Sequence, residues 1–395
     1  MRIRMVPLLP LLASALWGAG CGREPAGDGG ARWLEAEEDL RIAGDTTGYG
    51  LSTRPFDLEV DRDGDVFLSQ WGKPFVTVFD DRGRVVRVLG LAPGGGSQSG
   101  ELVSPGRMGW RDSLLWIVDR RASRVTFWNR SGDRVRSVTV RLPGGPTRGL
   151  FLPAGVFPDR TLLMSSTASP VQVLPLDELD GTLLRVTADE MVLDTVLVGS
   201  GAPARALVRL PNGTRVVAPH PLPTTDLLRQ RPDGSELVMV VRGPDREPGG
   251  YRVLRIGPDG DTLASARIEA APRALSPEER QLYARRFARP FAERQGIPLE
   301  EAVRASVEQV EFPETVPPVD GLVAGYDGSV WVRRTPRLGT DTMATWEILD
   351  DALRPVARVR LPLEVSLLRV RNGEAWGWRP GSQELPYLIR YRIGS

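Results

Sequence analysis

Between residues 56 and 89 apolar and polar positions alternate in four short runs. Phe56-Asp57-Leu58-Glu59-Val60 is followed by the turn Asp61-Arg62-Asp63-Gly64 and by Asp65-Val66-Phe67-Leu68. Phe75 to Phe79, the turn Asp80-Asp81-Arg82-Gly83 and Val85 to Leu89 complete the unit. A period of two selects strand over helix, because successive strand side chains face opposite ways. Four such strands with tight Asp/Gly turns predict one antiparallel blade of a propeller.

The pattern returns along the chain. The first turn of each unit falls near residues 64, 112, 159, 234, 328 and 373, on a period of about 45 residues with two longer gaps. The prediction is an all-β fold, a six-bladed β-propeller over residues 37–395. The sixth unit runs out of chain after three strands, so Asp39-Leu40-Arg41-Ile42 is expected to supply its outer strand. Arg41 should then pair with the strand at Leu388 to Tyr391, which closes the ring and removes an open edge.

Two segments carry a family likeness. Trp116-Ile117-Val118-Asp119 followed by Arg124-Val125-Thr126-Phe127 resembles the NHL repeat, in which a strand ending in Asp precedes an Arg and an apolar strand. Gly94-Gly95-Gly96 to Gly100-Glu101, then Pro105, resembles the Gly-rich linker between NHL blades. The good copies span residues 54–141. The whole chain resembles the six-bladed propeller lipoproteins of bacteria, most of which have no assigned activity.

In such a blade the 1–2 and 3–4 connections share one end, and the 2–3 loops and blade links share the other. The first kind is tight, with Gly64, Gly83, Gly132, Gly234, Gly260 and Gly328. The long pieces, 166–180, 199–225, 269–320, 333–345 and 379–386, are all of the second kind. Uneven growth on one face of a repeat protein marks a binding face. The weak candidates for contact are Trp71, Asp119, Arg120, Arg333 and Arg334, at the ends of second strands on that side.

The longest insertion, 272–316 between blades four and five, reads as helical. Ser276-Pro277-Glu278-Glu279 is a capping box with Pro at the first helical position. Tyr283, Phe287 and Phe291 then share one face and are expected to pack on the propeller rim, with Pro290 kinking or ending the helix. A second helix starts at Pro298-Leu299-Glu300-Glu301.

The N-terminus is patterned differently. Arg2 and Arg4, an apolar run to Trp17 and Gly18-Ala19-Gly20 predict a signal peptide over residues 1–20. Cys21 directly after small residues resembles a bacterial lipoprotein signal, with Gly18 where that signal prefers Leu, Val or Ile. The resemblance implies lipidation of Cys21 and a membrane anchor, at the periplasm or outer membrane surface. The same residues also fit ordinary cleavage and release. Residues 21–36 read as a flexible tether.

Composition removes several functions. Basic and acidic residues number 51 and 50, a net charge of +1, so no long-range field draws nucleic acid or an acidic membrane. Lys73 is the only Lys; Arg codons of a GC-rich genome explain this more simply than a need for guanidinium forks. One Cys and one His, His220, exclude an intrachain disulfide and a His/Cys zinc site. Asp61-Arg62-Asp63-Gly64-Asp65 does not match an EF-hand loop, since Gly is fourth and the twelfth position is Gly72. No nucleophile elbow or Walker loop is present, and no catalytic, cofactor or metal residue is assigned.

Two classes remain. The first is a monomeric, non-enzymatic binding module for a peptide, glycan or envelope protein. The second is a metal-dependent hydrolase or lyase of the lactonase kind on the same fold. Two or more carboxylates converging on the central channel, with bound metal on elemental analysis, would favour the enzyme, and an apolar or arginine-lined channel would favour binding.

Overall fold

The structure, a computed structural model, describes residues 31–42, 51, 55–70, 76–90, 102–140, 150–167, 182–189, 192–198, 205–381 and 385–394. The expected signal peptide, Cys21 with most of the tether, Trp71 and the Gly-rich 94–100 linker lie outside them.

The strands form where the alternation places them. Four separate four-stranded antiparallel sheets cover 55–89, 105–139, 150–198 and 227–269. A four-stranded meander ending at Pro355–Pro362 and a three-stranded one starting at Ser366–Arg371 join, with the N-terminal strand between them, into one eight-stranded sheet. Burial falls outward within each sheet. Val66–Gln70 and Leu237–Val241 are buried at every position, whereas the fourth strand Thr262–Glu269 alternates with solvent. Second strands face a neighbouring sheet on both sides, which is why they read as continuous apolar runs.

Seven apolar clusters hold the described residues together. Six of them each span two successive four-stranded units. One joins Phe67, Val76 and Val78 to Met108, Leu115 and Ile117, and the others step round through 2–3, 3–4, 4–5 and 5–6. The last joins Leu368, Trp376 and Leu388 back to Leu58, Val66 and Leu68. Stepwise packing that returns to its start is a propeller-like arrangement.

The join in the eight-stranded sheet is made by the first strand, Arg32–Ile42. Arg32 to Leu34 run parallel to Ala357 to Val359. Glu35 to Ile42 run antiparallel to the C-terminal strand Pro386–Gly394, with Arg41 opposite Ile389 as the sequence predicted. Asp39 fixes this pairing through Arg390 at 2.8 Å and Arg392 at 2.6 Å.

The tight turns follow one chemistry. Asp61 Oδ1 accepts from the Asp63 and Asp65 N–H groups, and Asp80 and Asp350 repeat the pattern. This is the Asx turn, so the Asp61 carboxylate serves the backbone, while Asp63 pairs with Arg130 and Asp65 with Arg87. Gly234 shows why the turn needs glycine: its φ is +77°, and a Cβ there would lie 2.3 Å from the Val156 carbonyl oxygen.

The seventh cluster is separate. Helix α1 (Pro277–Gln295) and helix α2 (Leu299–Gln309) lie between the 227–269 sheet and the eight-stranded sheet in the sequence. Ser276 caps α1 by accepting from the Glu279 N–H at 3.1 Å. Tyr283 and Phe287 are buried in one cluster with Val303 of α2, the hairpin Arg205–Arg209/Arg215–Pro219 (Ala206, Val208, Ala218) and Leu338 of the 335–342 connection. Pro290 does not end α1, which runs five residues further; this packing and that of Ala292 outweigh the lost backbone bond. The hairpin itself lies in a segment that the sequence reading treated as a plain link.

Candidate functional site

The first strands of the units face one another round the axis, so the axis is built from Pro55–Val60, Pro105–Arg111, Leu150–Val156, Leu227–Gln230, Val319–Ala324 and Ser366–Arg371. Arginines on and beside these strands act as forks between neighbouring units. Arg369 donates to the Leu58 carbonyl at 2.9 Å, and Arg111 to the Phe157 carbonyl at 2.6 Å. Arg229 reaches the Leu322 carbonyl at 3.2 Å, Arg231 the Gly328 carbonyl at 2.8 Å, and Arg242 the Val319 carbonyl at 2.8 Å. The planar guanidinium suits this task because it satisfies several carbonyls without surrendering its charge. The near-absence of Lys thus has a structural use that codon bias alone does not suggest.

The densest knot joins three units. Arg369 lies 3.0 Å from Asp57 Oδ1 and 2.6 Å from Glu59 Oε1, and Tyr326 donates to Glu59 Oε2. Asp57 also accepts from the Leu58 N–H at 2.9 Å and the Met108 N–H at 3.0 Å. One guanidinium between two buried carboxyls leaves one of them favoured to keep its proton. Asp57 takes two backbone donors, and the proton stays on Glu59. Burial pushes the Glu59 carboxyl up to about 8, with the Asp57 charge adding to it and Arg369 opposing. Arg369 is held above its ordinary value because both carboxyls face it.

This gives the fold a pH dependence of known sign. Between the ordinary carboxyl value of 4.5 and about 8, the folded chain holds a proton at Glu59 that the unfolded chain releases. Stability therefore falls as pH rises through that window and stays reduced above it. Glu59→Gln is expected to remove most of this slope and to gain stability over the parent at pH 9, by on the order of a few kcal/mol. Urea melts at pH 6 and pH 9 measure it; parallel losses in the two proteins would refute the assignment.

Round the axis the remaining cavity is about 20 Å³, room for about one water. Arg107, Arg229, Arg231 and Arg369 line it, with Asp57 as the one carboxylate. Among the described residues no three His, Cys, Asp or Glu side chains are placed to hold a metal ion.

The sequence candidates fall into different surroundings. Asp119 is fully enclosed and accepts from the Ser104 N–H at 2.8 Å and from Arg124 at 3.0 Å. It ties the incoming link to the blade, so the contact role expected for it is not open to it. Arg333 pairs with Asp320 at 2.6 Å, and Arg334 with buried Glu347 at 2.8 Å. Glu347 also accepts from Tyr251 at 2.7 Å. Arg120 differs: its stem lies over Gly106 of an axial strand, and burial without any opposing carboxylate lowers its guanidinium. His220 is structural, with Nδ1 accepting from the Leu222 N–H and Nε2 3.1 Å from the Glu311 carbonyl; burial lowers it.

The far end of the units carries the decorations. The hairpin at 205–219, α1 and α2, and the connections 242–249 and 335–342 all lie on the links or the 2–3 side. A cavity of about 170 Å³ opens there, beside Pro244, Pro248, Pro272 and Pro318. Among the described residues no helix is long and apolar enough to cross a membrane.

No family model matches this chain, and no curated relative does. Solved structures do. A member of the DUF4221 family from Bacteroides vulgatus is similar at 10% identity and a TM-score of 0.46, over 92% of this chain and 99% of that one. Virginiamycin B lyase from Staphylococcus aureus is similar at 11% identity and a TM-score of 0.43, over 89% and 98%. A PQQ-bound aldose sugar dehydrogenase from Streptomyces coelicolor is similar at 15% and 0.40, over 91% and 98%. The propeller reading rests on this chain's own strand order and closing cluster.

Proposed function

We propose that this chain is an exported six-bladed propeller, of NHL-like lipoprotein type and anchored through Cys21, that binds a peptide, glycan or envelope protein through its loop-rich end. The eight-stranded sheet counts as two blades, five and six, that share the first strand at their outer edge. The helical pair is an insertion between blades four and five.

The observation that carries the reading is the inequality of the two ends. One end consists of tight Asp/Gly turns whose polar groups are spent on their own backbone. The other carries the helices, the hairpin and the 170 Å³ cavity. The axis favours binding over the lactonase-like alternative. A cation held by Asp57 and Glu59 would need the space that Arg369 already fills, and two like charges there repel it. Arg120 is the best-placed contact of the sequence candidates, because a desolvated charge gains most from an anionic partner group. End-specific photocrosslinking in the cell envelope tests the reading: probes on the loop-rich end should capture a partner, and probes on the turn end should not.

A further inference from the structure

The 170 Å³ cavity is walled by three pieces of chain that are hydrogen-bonded to their surroundings. They are the 243–250 connection, the 270–272 lead into the helices and the 315–318 return from them. Gly249 accepts from the Ala270 N–H at 3.0 Å, Leu275 N–H donates to the Glu314 carbonyl at 2.9 Å, and Pro318 accepts from the Thr335 N–H at 3.1 Å. Arg273 and Ala274 pair with Val316 and Thr315, closing the base of the helical pair. The cavity is therefore built before any ligand arrives, and its four proline rings cannot rotate about φ.

Its chemistry is specific. Pro244, Pro248, Pro272 and Pro318 present flat apolar faces, and the Gly249–Gly250 backbone leaves the floor free of side chains. A Cβ at Gly250 would collide with the Ile268 carbonyl oxygen at 2.4 Å, so that residue stays bare. Glu247 is the single charged residue in the lining. Its Oε1 takes Arg252 at 2.6 Å, and Oε2 lies 3.5 Å from both Arg252 and Arg267, long contacts that a shorter bond from a ligand donor can displace. A dry cavity of roughly 150 Å³ accepts a benzene ring, so this one accommodates a ring of indole size.

We propose that this cavity receives an aromatic ring bearing a hydrogen-bond donor, the indole or phenol side chain of a partner protein, with the donor on Glu247 Oε2. Tyr and Trp combine a large apolar body with one polar handle, which matches proline walls with one acceptor. The proposal rests on the loop-rich end being the binding end.

The test uses the full mature chain and free indole, with benzene as the ring without a donor. Ala271 is exposed and lines the cavity, so Ala271→Trp fills it from the open side without touching the core. Indole titrated by NMR should bind saturably, more tightly than benzene, and at least tenfold more weakly to Ala271→Trp, whose melting temperature stays that of the parent. Indole binding that is absent, or unchanged in Ala271→Trp, overturns the proposal. If loop-end crosslinks persist undiminished in Ala271→Trp, the ring pocket is wrong and the binding end stands. If the parent gives no loop-end crosslink although indole binds, the binding end is the part that fails, and with it a protein as the source of the ring.

Discussion

Arg369→Met lowers the unfolding free energy by about 3–5 kcal/mol, the cost of breaking a buried pair from one side. Met keeps much of the stem volume but removes the donors to Leu58, Asp57 and Glu59. Asp57 is then left buried without its guanidinium partner, held by the Leu58 and Met108 N–H groups. The loss corresponds to a melting temperature lower by about 10 °C. Adding Asp57→Asn to Arg369→Met should recover more than half of it, since neutral groups tolerate the same site far better. A melting temperature within a degree of the parent for Arg369→Met alone would show that the knot does not hold the last and first four-stranded units together.

The second large effect is at the chain ends. A chain that starts at residue 43 lacks the strand Arg32–Ile42 and with it both pairings, to 355–362 and to 386–394. It also loses the Asp39 pairs with Arg390 and Arg392 and the apolar contacts of Ile42. Two strand edges are exposed at once, and open edges recruit other chains. We expect a melting temperature at least about 10 °C lower and concentration-dependent association. Light scattering and thermal melts measure this. Full stability with the strand removed would mean that the ring closes without it.

The fold was largely legible because its strands are short and its turns chemically distinct. The run at 66–68 is apolar and the whole strand 66–70 is buried, as a strand between two sheets must be. The closing strand was visible from the missing fourth strand of the last unit. The arginine forks were not legible, because a bond such as Arg369 to Leu58 joins residues 311 apart in sequence and depends on ring closure. Helix α1 crossing Pro290 was hidden for a similar reason. A local breaker was weighed without the tertiary packing of Tyr283, Phe287 and Ala292.

The candidate site was legible only in part. Position at the end of a second strand does not reveal depth. Asp119 is sealed by the residues 103–104 that pass over it, and Arg334, still partly exposed, is engaged by Glu347 thirteen residues on. The hairpin at 205–219 did carry a signal, the alternation from Arg205 to Arg209 and the turn at Asn212-Gly213. The proline-walled cavity carried none, since its walls come from three segments brought together only by the helical insertion.

The measurement that bears most directly on the account is photocrosslinking from both ends of the propeller in intact envelopes. Probes replace Arg120 and exposed Arg337 on the loop-rich end, and exposed Arg62 and Arg82 on the turn end. The account predicts one adduct mass shared by positions 120 and 337, absent at 62 and 82, and lost when residues 276–313 are replaced by a short linker. Adducts at 62 and 82 that equal or exceed those at 120 and 337 would contradict it.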